Sequence, residues 1–134
     1  MAGPSKAQKA GYRRMHEYYR DQAVLPTYWR FRSAEDLERH ERHLRELFTE
    51  KLNLPAGLFK DARLVEFGPD SGENSLVFAR WGARCTLVEP NPKALPVLQQ
   101  YFRHFRLRDR LAALEQTDVQ EMARRPGAAG RFDV

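Results

Sequence analysis

Cysteine is almost absent from this chain. Cys85 stands alone among 134 residues, so no disulfide framework exists and a reducing, cytoplasmic setting is the expectation. Long apolar runs are missing as well: nothing approaches the roughly 18 residues that suggest a membrane-spanning helix. The lysines within residues 1–10 have no apolar stretch behind them, so no secretory signal is visible and no membrane partner is expected. Internal repeats and low-complexity tracts are also lacking. What is there fits one globular domain with a core of its own, at 42% hydrophobic and 31% charged residues. The net charge is +5, but the positive residues are scattered from Arg13 to Arg131 among glutamates. Without a lysine-rich stripe interleaved with aromatics, nucleic acid stays open as a partner but is not indicated.

Two regimes meet near residue 60. Residues 1–60 predict a helical extension. Tyr12, Met15, Tyr18 and Tyr19 recur at helical spacing over 11–22, and Pro26 then interrupts the helix. Ser33 is a good N-cap for a second helix, with Glu35 and Asp36 in its first turn and Leu37, Leu44, Leu47 and Phe48 as its apolar stripe. Asn53, Pro55 and Gly57 end it. Residues 61–134 instead repeat strand, turn and helix. Strands are predicted over 63–67, 85–89 and 111–116, and helices over 74–81, after Asn91 with Pro92 in the first position, and over 119–124. Residues 131–134 have the pattern of a fourth strand beginning. Strands alternating with helices predict an α/β fold with a parallel sheet.

Ligands of open α/β sheets bind at the carboxyl ends of the strands. The stretch LVEFGPDSGEN, residues 64–74, puts a glycine turn at the first such end. Gly68 and Gly72 lack the Cβ that would keep a ligand at a distance, although a plain loop has the same composition. The dinucleotide fingerprint requires glycine at its first, third and sixth positions. Here those are Gly68, Asp70 and Glu73, so NAD or FAD is disfavoured. Glu66, two residues before the first glycine, suits a ligand with a cationic amine and no phosphate. Glu89 ends the second strand, where a carboxylate can accept from both hydroxyls of a ribose; a capping or solvated glutamate is the alternative. Asp118 follows the third strand and can accept from an exocyclic adenine amine, with the next backbone N–H meeting a ring nitrogen. It can equally be the N-cap of the following helix.

Together these segments resemble the class I S-adenosylmethionine-dependent methyltransferases. The run VEFGPDSG (65–72) resembles that family's first motif, acidic-x-Gly-x-Gly-x-Gly, and NSLVFARWGA (74–83) the helix after it. TLVEPNPKAL (86–95) resembles the second motif and QTDV (116–119) the third. The resemblance covers residues 62–134. It implies a Rossmann-like doubly wound parallel sheet, ordered 3-2-1-4-5 and incomplete here, with its first three to four strands and an N-terminal helical extension. It implies S-adenosylmethionine as cofactor, with Glu66 on the methionine amine and Gly68, Pro69 and Gly72 in the loop beneath the methionine part. Glu89 would take the ribose, Pro90 would pack on adenine or ribose, and Asp118 with Val119 would read the base. Asp70 departs from the pattern, standing where the family has its middle glycine. The implied reaction is in-line displacement on a sulfonium methyl, which needs mostly alignment. Catalytic residues of this family usually lie at and after the fourth strand, so none is named here, and the acceptor is left open.

Ending at the fourth strand would leave the first strand's edge exposed, an aggregation hazard, and predicts a gene fragment. A non-catalytic module that keeps the nucleotide pocket for a partner protein is the rival reading, favoured by Asp70 and by the missing strand. His40 and His43 lie one helical turn apart but lack a third metal ligand, so they read as a solvated helix face. Tyr28, Trp29, Arg30 and Phe31 are taken as packing aromatics rather than as a lid.

Overall fold

In the computed structural model, residues 5–21 and 31–134 are described. Pro26 and the Tyr28-to-Arg30 part of the aromatic cluster lie outside them. Helix α1 spans Lys6–Asp21, starting earlier than the tyrosine spacing implied. Its apolar residues Met15, Tyr18 and Tyr19 are exposed, so the predicted stripe is not a core stripe. Helix α2 spans Ala34–Glu46, with Ser33 and Asp36 forming a reciprocal capping box at its start. Leu37 and Leu44 are buried on its inner side, whereas Leu47 is exposed. A π-helical turn, Leu47–Lys51, follows, and Asn53 closes it with a φ of 51°.

Strand β1 (Arg63–Phe67), helix α3 (Glu73–Arg80), strand β2 (Arg84–Val88), helix α4 (Ala94–His104), strand β3 (Leu111–Glu115) and helix α5 (Val119–Arg124) follow in turn. The three strands form one parallel sheet in the order β1-β2-β3: the parallel α/β sheet that the alternation predicts, and the incomplete Rossmann-like fold that the resemblance implies. The register pairs Glu66 with Leu87 and Phe67 with Val88, so the tips of β1 and β2 lie side by side. Residues 133–134 follow the other edge of β1 without forming a full strand. Asp133 N donates to Arg63 O at 2.8 Å, and Val65 N to Val134 O at 2.9 Å.

Helix α4 begins later than Asn91 and Pro92 suggested. Asn91 nevertheless organises the turn before it, accepting from Lys93 N on its side chain at 3.0 Å and from Ala94 N on its carbonyl at 3.1 Å. The core joins the sheet to α2, α3 and α4: Leu64, Leu76, Val77, Cys85, Leu87, Leu98, Tyr101 and Phe102 are buried together with Phe31, Leu37 and Leu44. Helix α2 is fixed on α3 by Glu41, which accepts from Trp81 Nε1 at 2.9 Å and pairs with Arg80 at 3.2 Å. Phe59 stacks on Phe78 with ring centres 5.0 Å apart. Among the described residues no helix is long and apolar enough to cross a membrane.

Candidate functional site

Where β1 ends, the chain turns sharply under a cleft of about 330 Å3 lined by Phe31, His40, Glu66, Gly68, Pro69, Asp70, Glu73 and Asn74. The turn is made by three residues in the left-handed region: Gly68 at φ 66°, Asp70 at 55° and Gly72 at 90°. Aspartate is among the few residues with a Cβ that visit this region, because its short side chain can bond locally. Asp70 therefore adopts a left-handed conformation of the kind glycine takes freely, and the turn forms with aspartate at this position. The outer glycines serve different ends. A Cβ on Gly68 would enter open space, whereas one on Gly72 would meet Leu98 Cδ2 at 2.6 Å. Gly72 is thus what lets the loop close on α4.

The tips of β1 and β2 are tied together. Glu89 is buried, and its carboxylate accepts from Asp70 N at 3.3 Å and from Asn91 N at 2.8 Å. It is held between the glycine loop and the turn that leads to α4. Pro90 is half-buried beside it. Glu66 is half-buried on the cleft and accepts from Ser75 Oγ at 2.5 Å. Burial pushes its carboxyl above the ordinary carboxylate range; the Ser75 hydroxyl pulls the other way and the nearby Glu73 charge adds to the rise. Glu73 is itself buried in the first turn of α3 and accepts from Ser71 Oγ at 2.7 Å.

The third tip stands apart. Asp118 is the N-cap of α5, accepting from Glu121 N at 2.8 Å. It lines a second cavity of about 340 Å3 with Lys9, Tyr12, Arg13, Glu17, Arg20 and Gln120. Tyr12 of α1 faces its carboxylate, and burial followed by that negative charge raises the phenol's pKa. Val119 beside it is exposed. The structure therefore brings Glu66, Gly68 and Pro69 to one cleft, buries Glu89 behind it against Asp70 N, and places Asp118 at another cavity, under α1.

Besides Glu73, three further residues of the cleft lining were not picked out from the sequence as site residues. Phe31 is buried rather than merely clustered. Its backbone N–H donates to Tyr101 Oη at 2.8 Å, and that hydroxyl donates back to Phe31 O at 3.3 Å. His40 is not on a solvated face: it is half-buried, with Nε2 2.8 Å from Asn74 Oδ1 and its ring centre 5.2 Å from that of Phe31. The signal was present, since His40 falls between Leu37 and Leu44 on the buried side of α2. Asn74, in the first turn of α3, is the third.

An acidic cleft at a glycine turn, with a buried carboxylate tied to two strand tips, is the arrangement of a ligand-binding α/β domain. Residues 31–134 match the family described as methyltransferase domain, and the chain belongs to that family. No curated protein and no solved structure matches it.

Proposed function

We propose that the methyl donor of this methyltransferase is S-adenosylmethionine, bound at the tips of β1 and β2. The observation that carries the reading is Glu89, whose buried carboxylate is tied by one hydrogen bond to the glycine loop and by another to the following turn. That carboxylate is pre-oriented to accept from the two hydroxyls of a ribose. Glu66 takes the ammonium of the methionine part, which relieves the unfavourable burial of its own charge. Gly68 and Pro69 pass beneath the methionine part, and Gly72 sets the close approach of the loop to α4. Pro90 packs on the adenosine. Asp118 and Val119 serve the adenine. Because β2 lies between β1 and β3, the outer tips are two strand spacings apart, roughly 10 Å, and Glu89 stands between them. Reaching the base-reading group requires the ligand to meet α1 at Tyr12.

The chemistry of the lining fits this ligand and excludes the dinucleotides. A pyrophosphate would face Glu66, Asp70 and Glu73, with no lysine or arginine among the described residues that line the cleft. A sulfonium and an ammonium meet the same carboxylates with favourable sign. When bound, the cofactor supplies an electrophilic methyl group; the protein's part is to hold it in line and keep water out. Residues 61–134 carry the cofactor in this reading, and residues 1–60 serve as its cap, contributing Phe31 and His40 to the cleft among the described residues.

Calorimetric titration with S-adenosylmethionine and with NADH tests the proposal. Binding of the first alone, weakened by Glu89→Ala, supports it. Binding of NADH, or an unchanged affinity in Glu89→Ala, overturns the assignment of this site, and binding of neither ligand points to a non-catalytic module.

A further inference from the structure

The cleft holds one group for which the assignments above have no use. Its floor and one wall, from β1, the glycine loop and α3, carry the carboxylates Glu66, Asp70 and Glu73. Among the described lining residues His40 is the one whose side chain can become cationic. S-adenosylmethionine, whose binding here rests on the proposal above, has an ammonium and a sulfonium that suit this lining. It also has a carboxylate that does not, since two like charges about 4 Å apart repel by roughly 1–4 kcal/mol between water and a protein surface.

We infer that His40 and Asn74 form the subsite that receives the carboxylate of the cofactor. The pair is already organised. Nε2 of His40 lies 2.8 Å from Asn74 Oδ1, so the ring donates to the amide oxygen and its orientation is fixed. Phe31 packs against the ring at 5.2 Å, and Phe31 is pinned in turn by the buried Tyr101 hydroxyl. Helix α2 is held on α3 by Glu41 through Trp81 and Arg80, so the histidine cannot drift from the asparagine without breaking a second set of contacts. With Oδ1 turned to His40, the amide nitrogen of Asn74 keeps N–H groups to offer an anion. Imidazole is also a side chain able to carry positive charge, and a charged donor makes such a bond strong. The cleft then matches all three charges of the ligand: acidic residues of β1, the glycine loop and α3 for the two cationic centres, and the α2 side for the anionic one.

The test compares two ligands across variants of the full chain. S-adenosylmethionine and its decarboxylated analogue share adenosine, sulfonium and amine and differ only in the carboxylate. The wild type is expected to prefer the carboxylate-bearing ligand. In His40→Ala that ligand loses at least tenfold in affinity, about 1.4 kcal/mol, while the analogue changes less than twofold. His40→Gln, which keeps a polar group against Asn74 without the charge, shows the same selectivity loss in smaller measure and carries the test if the alanine variant melts too low to titrate. Equal losses for both ligands, or no loss for the first, overturn the subsite and leave the cofactor assignment standing. A wild-type protein that binds neither ligand overturns both.

Discussion

Replacing Glu66 by glutamine is expected to stabilise the protein and weaken its ligand binding at the same time. The carboxyl is half-buried beside Glu73, and its pKa in the folded state lies above the ordinary value because burial penalises the charged form. A raised folded pKa means that the native state holds the proton where the unfolded chain has released it. The favourable contribution is therefore complete below the unfolded value, about 4.3, and is lost as the pH rises through the folded value. Glutamine does not titrate, and its amide oxygen can still accept from Ser75 Oγ. Relieving a functional site of this kind commonly yields roughly 0.5–2 kcal/mol, which for a domain of this length is about 2–8 °C in Tm. Loss of a charge-assisted hydrogen bond to the ligand ammonium costs about 1.5–3 kcal/mol, or roughly 10- to 150-fold in Kd. Thermal melts of both proteins at several pH values between 4 and 8, with calorimetric titrations at neutral pH, read both effects. The Tm gap should widen with pH and then level off. A gap that narrows as the pH rises, or a variant that melts lower throughout, refutes the burial reasoning; unchanged affinity refutes the role given to the carboxylate.

Gly72→Ala should cost about 1–3 kcal/mol of stability, because it combines a left-handed backbone with overpacking against Leu98; Gly68→Ala, with open space around the new Cβ, should cost less in a denaturant titration. Tyr101→Phe leaves the buried Phe31 N–H without its hydroxyl partner, a loss of about 1–3 kcal/mol measurable by the same titration. Asp133→Asn probes the edge of β1. Arg63 holds the Asp133 carboxyl down to about 2, so the contribution is present above the unfolded value near 3.9 and disappears as the pH falls through about 2. Melts of the two proteins should therefore differ at neutral pH and converge on acidification, and a constant offset would contradict the pairing.

Much of the fold was legible from local pattern. Strand β1 and helix α5 fall where apolar periodicity put them, and Ser33 caps α2 as expected, because caps and alternation act over a few residues and are written in consecutive positions. The tyrosine spacing of α1 was as regular as any, yet Met15, Tyr18 and Tyr19 are exposed: periodicity marks an apolar face but not what covers it. Leu47 failed for the same reason: its backbone continues the α-helical geometry of α2, with its N–H on His43 O, yet no neighbour covers it enough to bury it. At the site, the order Glu66, Gly68, Gly72 and Glu89 was visible as strand ends followed by turns. The tie between Glu89 and Asp70 N was not, because it joins residues nineteen positions apart in sequence.

By itself the sequence determined an α/β chain with a glycine turn after its first strand, acidic residues at three strand ends, and a middle loop residue that is aspartate instead of glycine. Tertiary structure alone decided which of those acids share a cleft, that Asp118 lies under α1, and that His40 and Phe31 face the glycine loop. Strand ends and caps follow from neighbouring residues, whereas a cleft is made where separate elements meet. Its composition depends on how α2 packs on α3 and α4, which is settled by burial of Phe31, Leu37 and Leu44 rather than by any one segment's own pattern.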